Sequence, residues 1–251
     1  MSQPQVQPTG APAIELRGLT HRYAETPVLR GIDLAIAPGE IFGFLGHNGA
    51  GKTTAVNILT TLIEPTSGTA SVAGFDVVRQ RREVTRRIGY LPSEVRLYGH
   101  LTAQENLEFF ARLSGVENPR QVAVETLDYL GCGDLARLRV GTFSSGMRQR
   151  VGIAQAVLHR PEVLFLDEPT AGLDPLGVRQ LRDTIQALNA ELGMTVFMNT
   201  HLLSEVARVC TSIGVLDHGE LIYHDSIEQT LQRFPDEGSL EDIYVRMERG
   251  A

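Results

Sequence analysis

Short apolar runs alternate with longer amphipathic stretches along most of this chain. Near the start, AIELRGLTHRY (13–23) and IDLAIAPGEIFGFLG (32–46) carry closely spaced, partly alternating apolar positions broken at Pro38-Gly39, which predicts strands joined by turns. A helix is expected from Lys52 to about Leu62, then extended GTASVAG (68–74), an Arg-rich helix over 79–87, and the strand IGYL (88–91). Residues 102 to 158 read as mostly helical. LTAQENLEFFARL, PRQVAVETLDYL and SSGMRQRVGIAQAVL each place apolar residues near a period of 3.6. Alternation then resumes with the strand VLFLD (163–167), the helix LGVRQLRDTIQALNAEL (176–192), the strand MTVFMNT (194–200) and the helix LLSEVARV (202–209). SIGVLDHGELIYH (212–224) reads as a hairpin turning at Asp217 to Gly219, and GSLEDIYVRMERG (238–250) as a last helix.

Continuous apolar strands separated by helices predict a mostly parallel sheet covered on both faces. The fold class is therefore α/β, with a core over about 13–92 and 161–235 and a helical insertion between them. With 251 residues, 42% hydrophobic and 21% charged, the chain can bury a large core without disulfides or metals. Cys132 and Cys210 form no CxxC pair or cluster, which points away from redox and cysteine-metal chemistry.

MSQPQVQPTGAPA has no basic flank or apolar run, so it reads as a disordered tail (1–12) and not a secretory signal. No stretch approaches the apolar length of a membrane helix, so a membrane role requires a partner. A net charge of −7 gives no footprint for nucleic acid. RQRREVTRR (79–87) is the local exception, read either as a solvated helix face or as a docking surface for a permease or anionic lipid.

Lys52 is the single lysine among 23 basic residues. It sits in GHNGAGKTT, where Gly46, Gly51, Lys52 and Thr53 satisfy G-x-x-x-x-G-K-[ST] between an apolar strand and a helix. The backbone N–H groups of such a loop, with the helix N-terminus behind them, cradle phosphate oxygens. Gly46, Asn48, Gly49, Ala50, Gly51, Lys52, Thr53 and Thr54 are the candidate nucleotide-binding residues. A compact ammonium on a thin stem fits inside a ring of amides where a planar guanidinium does not, which explains a lysine in a chain that otherwise uses arginine. In VLFLDEP, Asp167 and Glu168 end a buried strand. Asp167, with the Thr53 hydroxyl, is the expected Mg²⁺ holder and Glu168 the expected general base toward an attacking water.

These residues, in this order, resemble the ATP-binding cassette (ABC) ATPases over essentially the whole chain after its tail. FSSGMRQR resembles the family's LSGGQ signature, AGLDP its D-loop with Asp174 as the acid, and NTHLLSEV its switch region with His201 as the switch histidine. Tyr23 in HRYAETPVL stands where the family stacks an aromatic on adenine. The resemblance implies a P-loop NTPase core over 13–235 with a mostly parallel sheet, an antiparallel β subdomain and a helical subdomain at about 93–160, followed by a helical tail (236–251). It also implies ATP and Mg²⁺ as ligands and a head-to-tail dimer in which Ser144, Ser145 and Gly146 act in trans on the nucleotide held by Lys52 of the other copy.

Three departures from the family pattern stand out. His47 replaces the common Pro in the loop and is expected to point away with little effect. Ser145 and Met147 replace Gly and Gln in the signature. Ser93, in IGYLPSEVRLYGHLT, replaces the Q-loop glutamine and is two heavy atoms shorter, so its contact with the metal and water would need a bridging water.

LTAQENL, NTHLLSEV and SLEDIYVRM resemble the subfamily that exports drugs, lipids or polysaccharides. The resemblance implies an ATPase motor on the cytoplasmic face of the membrane, completed by an integral membrane permease and by a second copy or a homologous cassette. The alternative is a soluble ABC ATPase, or a low-turnover regulatory module, uncoupled from transport. Glu168 argues against low turnover and Ser93 argues mildly for it. The span from Lys52 to Ser144 is too short to hold the long coiled coil of the DNA-repair relatives.

Overall fold

A computed structural model describes residues 10–235, 240 and 242–245. Two sheets organise them. The first is antiparallel, in the order β2 (Thr26–Ile36), β1 (Ile14–Tyr23), β4 (Ser67–Val72), β5 (Phe75–Asp76). The second has six strands in the order β10 (Glu220–Ser226), β9 (Ser212–Asp217), β3 (Ile41–Leu45), β8 (Thr195–Asn199), β7 (Val163–Asp167), β6 (Ile88–Leu91). All its neighbours are parallel except β9 and β10, whose antiparallel hairpin closes one edge. The expected α/β class with a mostly parallel sheet and an antiparallel sheet is observed.

Residues of β3, β7 and β8 are buried throughout, as strands covered on both faces must be. Their alternating side chains divide the core in two. Phe42, Phe44, Phe165 and Phe197 face α1 (Lys52–Leu59) and the antiparallel sheet, with Leu16, Leu19, Ile32 and Val72 opposite. Ile41, Leu164, Leu166, Val196 and Met198 face the other way, against α6 (Pro175–Leu192), α7 (Leu203–Val209) and the end of α5 (Ser145–Val157). A third cluster joins α3 (Ala103–Leu113), α4 (Pro119–Tyr129) and α5 through Leu107, Ala111, Leu127, Val151 and Ala154. The helical insertion thus has a core of its own, attached to the sheet through α5.

Several boundaries differ from the sequence expectation for local reasons. Helix α1 ends at Leu59 because Thr60 turns its hydroxyl back onto Val56 O (2.8 Å) and Thr61 adopts φ 64°. The Arg-rich segment forms only α2 (Arg81–Thr85), since Asp76 Oδ1 accepts from Val78 N and Arg79 N and makes a turn where a first helical turn was expected. Arg87 pairs with Glu83 and Glu162 and lies over the Phe75 ring, Arg86 pairs with Glu83, and Arg81 donates to Thr61 O. Intrachain partners for these three favour the solvated-face reading of that segment. Helix α8 (Ile227–Arg233) follows β10. Of the expected C-terminal helix, residues 240 and 242–245 are helical, with Leu240 and Ile243 buried against the α6 side of the sheet. The rest of that helix, and residues 1–9 of the expected tail, lie outside the described residues.

Phe197 touches Phe42, Phe44 and Phe165 at ring-centroid distances of 5.3, 5.2 and 5.5 Å. Phe197→Ala is expected to destabilise the chain by about 3–5 kcal/mol in equilibrium urea unfolding.

Candidate active site

The loop after β3 is shaped by two close approaches. A Cβ at Gly46 would lie 2.3 Å from Leu216 O of β9, and one at Gly51 would lie 2.8 Å from Leu29 and 2.9 Å from Val28 O. Only glycine lets the backbone pass at these points, with φ 154° and 110°. Helix α1 then begins with no side-chain cap and no acid in its first turn, leaving its N-terminal N–H groups for another acceptor. Lys52 is buried, and its Nζ donates to Gly46 O (2.5 Å) and His47 O (3.2 Å). Burial lowers the pKa of this ammonium, while the Glu168 and Asp167 carboxylates push it back up.

Those carboxylates form the facing wall. Asp167, the last residue of β7, is buried, and Oδ1 accepts from Asn199 Nδ2 at the end of β8 (2.5 Å). Burial raises the Asp167 pKa, opposed first by that hydrogen bond, with Lys52 and the Ser93 backbone also lowering it and Glu168 adding to the rise. Glu168 follows in a left-handed conformation (φ 47°), a strain of order 1–3 kcal/mol for a residue with a side chain. That turn brings its carboxylate back over the strand ends, where Oε2 lies 2.8 Å from His201 Nδ1.

A cavity of about 460 Å³ is lined by Tyr23, Asn48, Gly49, Gly51, Lys52, Thr53, Thr54, Ser93, Asp167 and Glu168, together with Val28, His47 and Asn199. Ten of the sequence-derived residues thus meet in one place. Tyr23 stands half-exposed at its rim. Ala50 is placed differently: it is buried, and its carbonyl accepts from Gly219 N (2.9 Å), so it holds the loop to the β9–β10 turn. Gly46 and His201 border an adjoining smaller cavity that also includes His47.

Ser144, Gly146 and Asp174 do not join the nucleotide-sized cavity. Ser144 caps α5 by accepting from Met147 N (3.2 Å), Asp174 caps α6 by accepting from Gly177 N (2.7 Å), and Ser145 is exposed on the first turn of α5. Ser144, Gly146 and Asp174 line a second cavity of about 410 Å³ that shares no residue with the first. A larger cavity of about 1090 Å³ beside α3, α4 and α6 has neither a glycine loop nor paired strand-end carboxylates.

One polar site residue, Asn199, went unremarked in the sequence. Asn199 fixes Asp167, and its own Oδ1 is a buried acceptor with no hydrogen-bond partner among the described residues. The signal was an amide at the end of an otherwise apolar strand. His47 borders the cavity, and its ring lies against the β9–β10 turn, with Nε2 3.1 Å from Asp217 Oδ1, a contact absent from the sequence expectation.

The oxygen donors of Asp167, Glu168 and Thr53 around one cavity suit a hard divalent cation such as Mg²⁺. A glycine loop with a buried ammonium, facing strand-end carboxylates, defines a phosphate-loop nucleotide hydrolase. The ABC transporter family profile matches residues 29–171, more than half the chain. The bacitracin transport ATP-binding protein BcrA of Bacillus licheniformis is 39% identical over 83% of this chain and 68% of its own length. The daunorubicin resistance ATP-binding protein DrrA2 of Streptomyces coeruleorubidus is 42% identical over 85% of this chain and 67% of its own. Among solved structures, an ATP-binding subunit of an ABC transporter aligns with TM-score 0.84 at 28% identity, over 94% of this chain and 99% of that one. A dimeric ATP-binding cassette in a post-hydrolysis state bound to ADP and Pi aligns with TM-score 0.76 at 27% identity, over 85% and 98%. The chain belongs to the ABC transporter family as an ATP-binding subunit, and it is an ATPase.

Replacing Lys52 tests the fit directly. Lys52→Arg keeps the charge but puts a broad fork where Nζ now sits among loop carbonyls. ATP affinity, measured by fluorescent-nucleotide titration, is expected to fall at least ~10-fold, equivalent to about 1.4 kcal/mol.

Proposed function

We propose that the chain is the motor subunit of an exporter: a peripheral ATPase on the cytoplasmic face of the membrane that docks on a separately encoded integral membrane permease. The observation that carries the mechanism is the separation of the phosphate-loop and signature cavities: Ser144 and Gly146 line a cavity that shares no residue with the one around Lys52. A head-to-tail pair, with a second copy or a homologous cassette, puts the signature of one chain over the loop of the other and encloses two ATP molecules. The exporter reading draws on relatives named for bacitracin transport and for daunorubicin and linearmycin resistance. Among the described residues no helix is long and apolar enough to cross a membrane, so the reading assigns the membrane path to the permease.

In this mechanism the loop amides and Lys52 hold the phosphates, Tyr23 stacks on the base, and Thr53 and Asp167 would hold Mg²⁺. When bound, Mg²⁺ neutralises charge on the phosphate oxygens. Glu168 Oε1 takes a proton from the attacking water, while His201 Nδ1 at Oε2 keeps that carboxylate aimed. Asp174 carries the D-loop between the paired sites. Ser93 occupies the Q-loop position, and its backbone reaches Asp167. The segment after it presents Tyr98 and Phe109, exposed aromatics packed at 5.2 Å, with Tyr98 pinned to α3 by Asn106 on both its N–H (2.8 Å) and its carbonyl (3.1 Å). This cluster is the proposed permease contact. It lies in a helical subdomain of about 93–160, within an ATPase domain of 13–235.

Glu168→Gln removes the proton acceptor but keeps the fold of the site. With ATP and Mg²⁺ it is expected to accumulate as a dimer on size-exclusion chromatography, with turnover reduced at least ~100-fold. A variant that stays monomeric at saturating ATP counts against the sandwich.

A further inference from the structure

Beside the phosphate loop, three side chains converge that the hydrolytic scheme leaves without a task. His47 belongs to the loop; Asp217 and His218 belong to the β9–β10 turn. His47 Nδ1 lies 2.8 Å from Asn48 O. A carbonyl has no hydrogen to give, so Nδ1 carries it and Nε2 of the neutral ring presents a lone pair. That Nε2 is shielded from solvent, has no hydrogen-bond partner of usable geometry among the described residues, and lies 3.1 Å from Asp217 Oδ1. A lone pair and a carboxylate oxygen at this distance repel unless a cation stands between them. His218 Nε2 approaches the same oxygen at 3.8 Å, the two imidazole centroids are 4.9 Å apart, and one ligand atom from each of the three residues lies within 4.8 Å of the others.

The scaffold under this trio is firm. His218 (φ 45°) and Gly219 (φ 85°) form a two-residue turn with both residues left-handed. Gly219 N donates to Ala50 O (2.9 Å), and Arg30 N donates to Gly219 O (2.9 Å). The turn is thus stitched to the phosphate loop on one side and to β2 on the other. His47 has its tautomer fixed by a backbone carbonyl, the arrangement common for metal-binding imidazoles. Bonds of about 2.0–2.1 Å to a tetrahedral ion put neighbouring ligand atoms about 3.3 Å apart. His47 and Asp217 nearly have that spacing already, and the exposed His218 ring needs only a small swing.

We propose that His47, Asp217 and His218 form a binding site for a divalent transition metal of the zinc class, with two imidazole nitrogens, one carboxylate oxygen and a remaining position open to water. Two nitrogens in the set select against Mg²⁺ and Ca²⁺, which take oxygen, so this ion is distinct from the one expected at Asp167. Cys132 and Cys210 offer no competing thiolate: both are buried, and burial raises both thiols above their ordinary range. An ion here ties the phosphate loop to the β9–β10 turn at a point next to the carbonyls that hold Lys52. The site does not depend on the transport reading, since it requires neither nucleotide nor a partner.

The test is equilibrium dialysis of the untagged, chelator-treated, nucleotide-free chain against Zn²⁺ in excess Mg²⁺. Stoichiometric binding is expected. His218→Asn keeps a residue that tolerates the left-handed turn, and His47→Gln removes the loop ligand. Each is expected to weaken Zn²⁺ binding at least ~10-fold, no less than the loss of an outer-shell partner of a metal ligand. A Glu168→Gln, His201→Ala double variant, which disables the other histidine–carboxylate pair, is expected to bind as the parent does. Absence of stoichiometric Zn²⁺, or binding unchanged in both His218→Asn and His47→Gln, overturns the proposal.

Discussion

The structure depends on a passage of backbone through a space too narrow for any side chain. At Gly46 the loop runs against the carbonyl of Leu216, and at Gly51 against β2. These two contacts fix the path of the chain between β3 and α1, and Lys52 is buried against two carbonyls of that loop. The burial has a cost, visible as the lowered pKa of the ammonium, which the facing carboxylates only partly offset. A polyphosphate entering the loop supplies the missing negative charge.

The parallel sheet sets where everything else must be. Four strand ends deliver the loop, Asp167, Asn199 and the hairpin turn to one edge, and the left-handed turn at Glu168 folds a carboxylate back over them. The signature helix is carried elsewhere, by the insertion and its separate core. On the reading proposed above, one chain holds two incomplete sites that a second chain completes, which would link nucleotide occupancy to association, the step at which ATP can do mechanical work on a partner.

Much of this was legible in the residues, for identifiable reasons. The loop, the strand-end acids and the hairpin are local: glycine spacing, an apolar run ending in Asp-Glu, and the His218-Gly219 turn each specify their own conformation. The α/β class followed from period alone. Helix ends were less legible, because Thr60 and Asp76 redirect the chain through side-chain bonds that no periodicity registers. Asn199 and His47 escaped for a different reason. Their partners, Asp167 and Asp217, are distant in sequence and meet them only when the sheet is assembled. For His47 the contact that the sequence did not show is the one with Asp217 of the neighbouring strand.

The central claim is that one chain's phosphate loop and another's signature close on the same ATP. Hydrogen exchange by mass spectrometry, run on the wild-type chain with and without ATP under conditions that block turnover, reads both segments at once. The account requires simultaneous protection of residues 46–54 and 143–148, the latter growing with protein concentration. Protection confined to the loop, at every concentration tested, would contradict it.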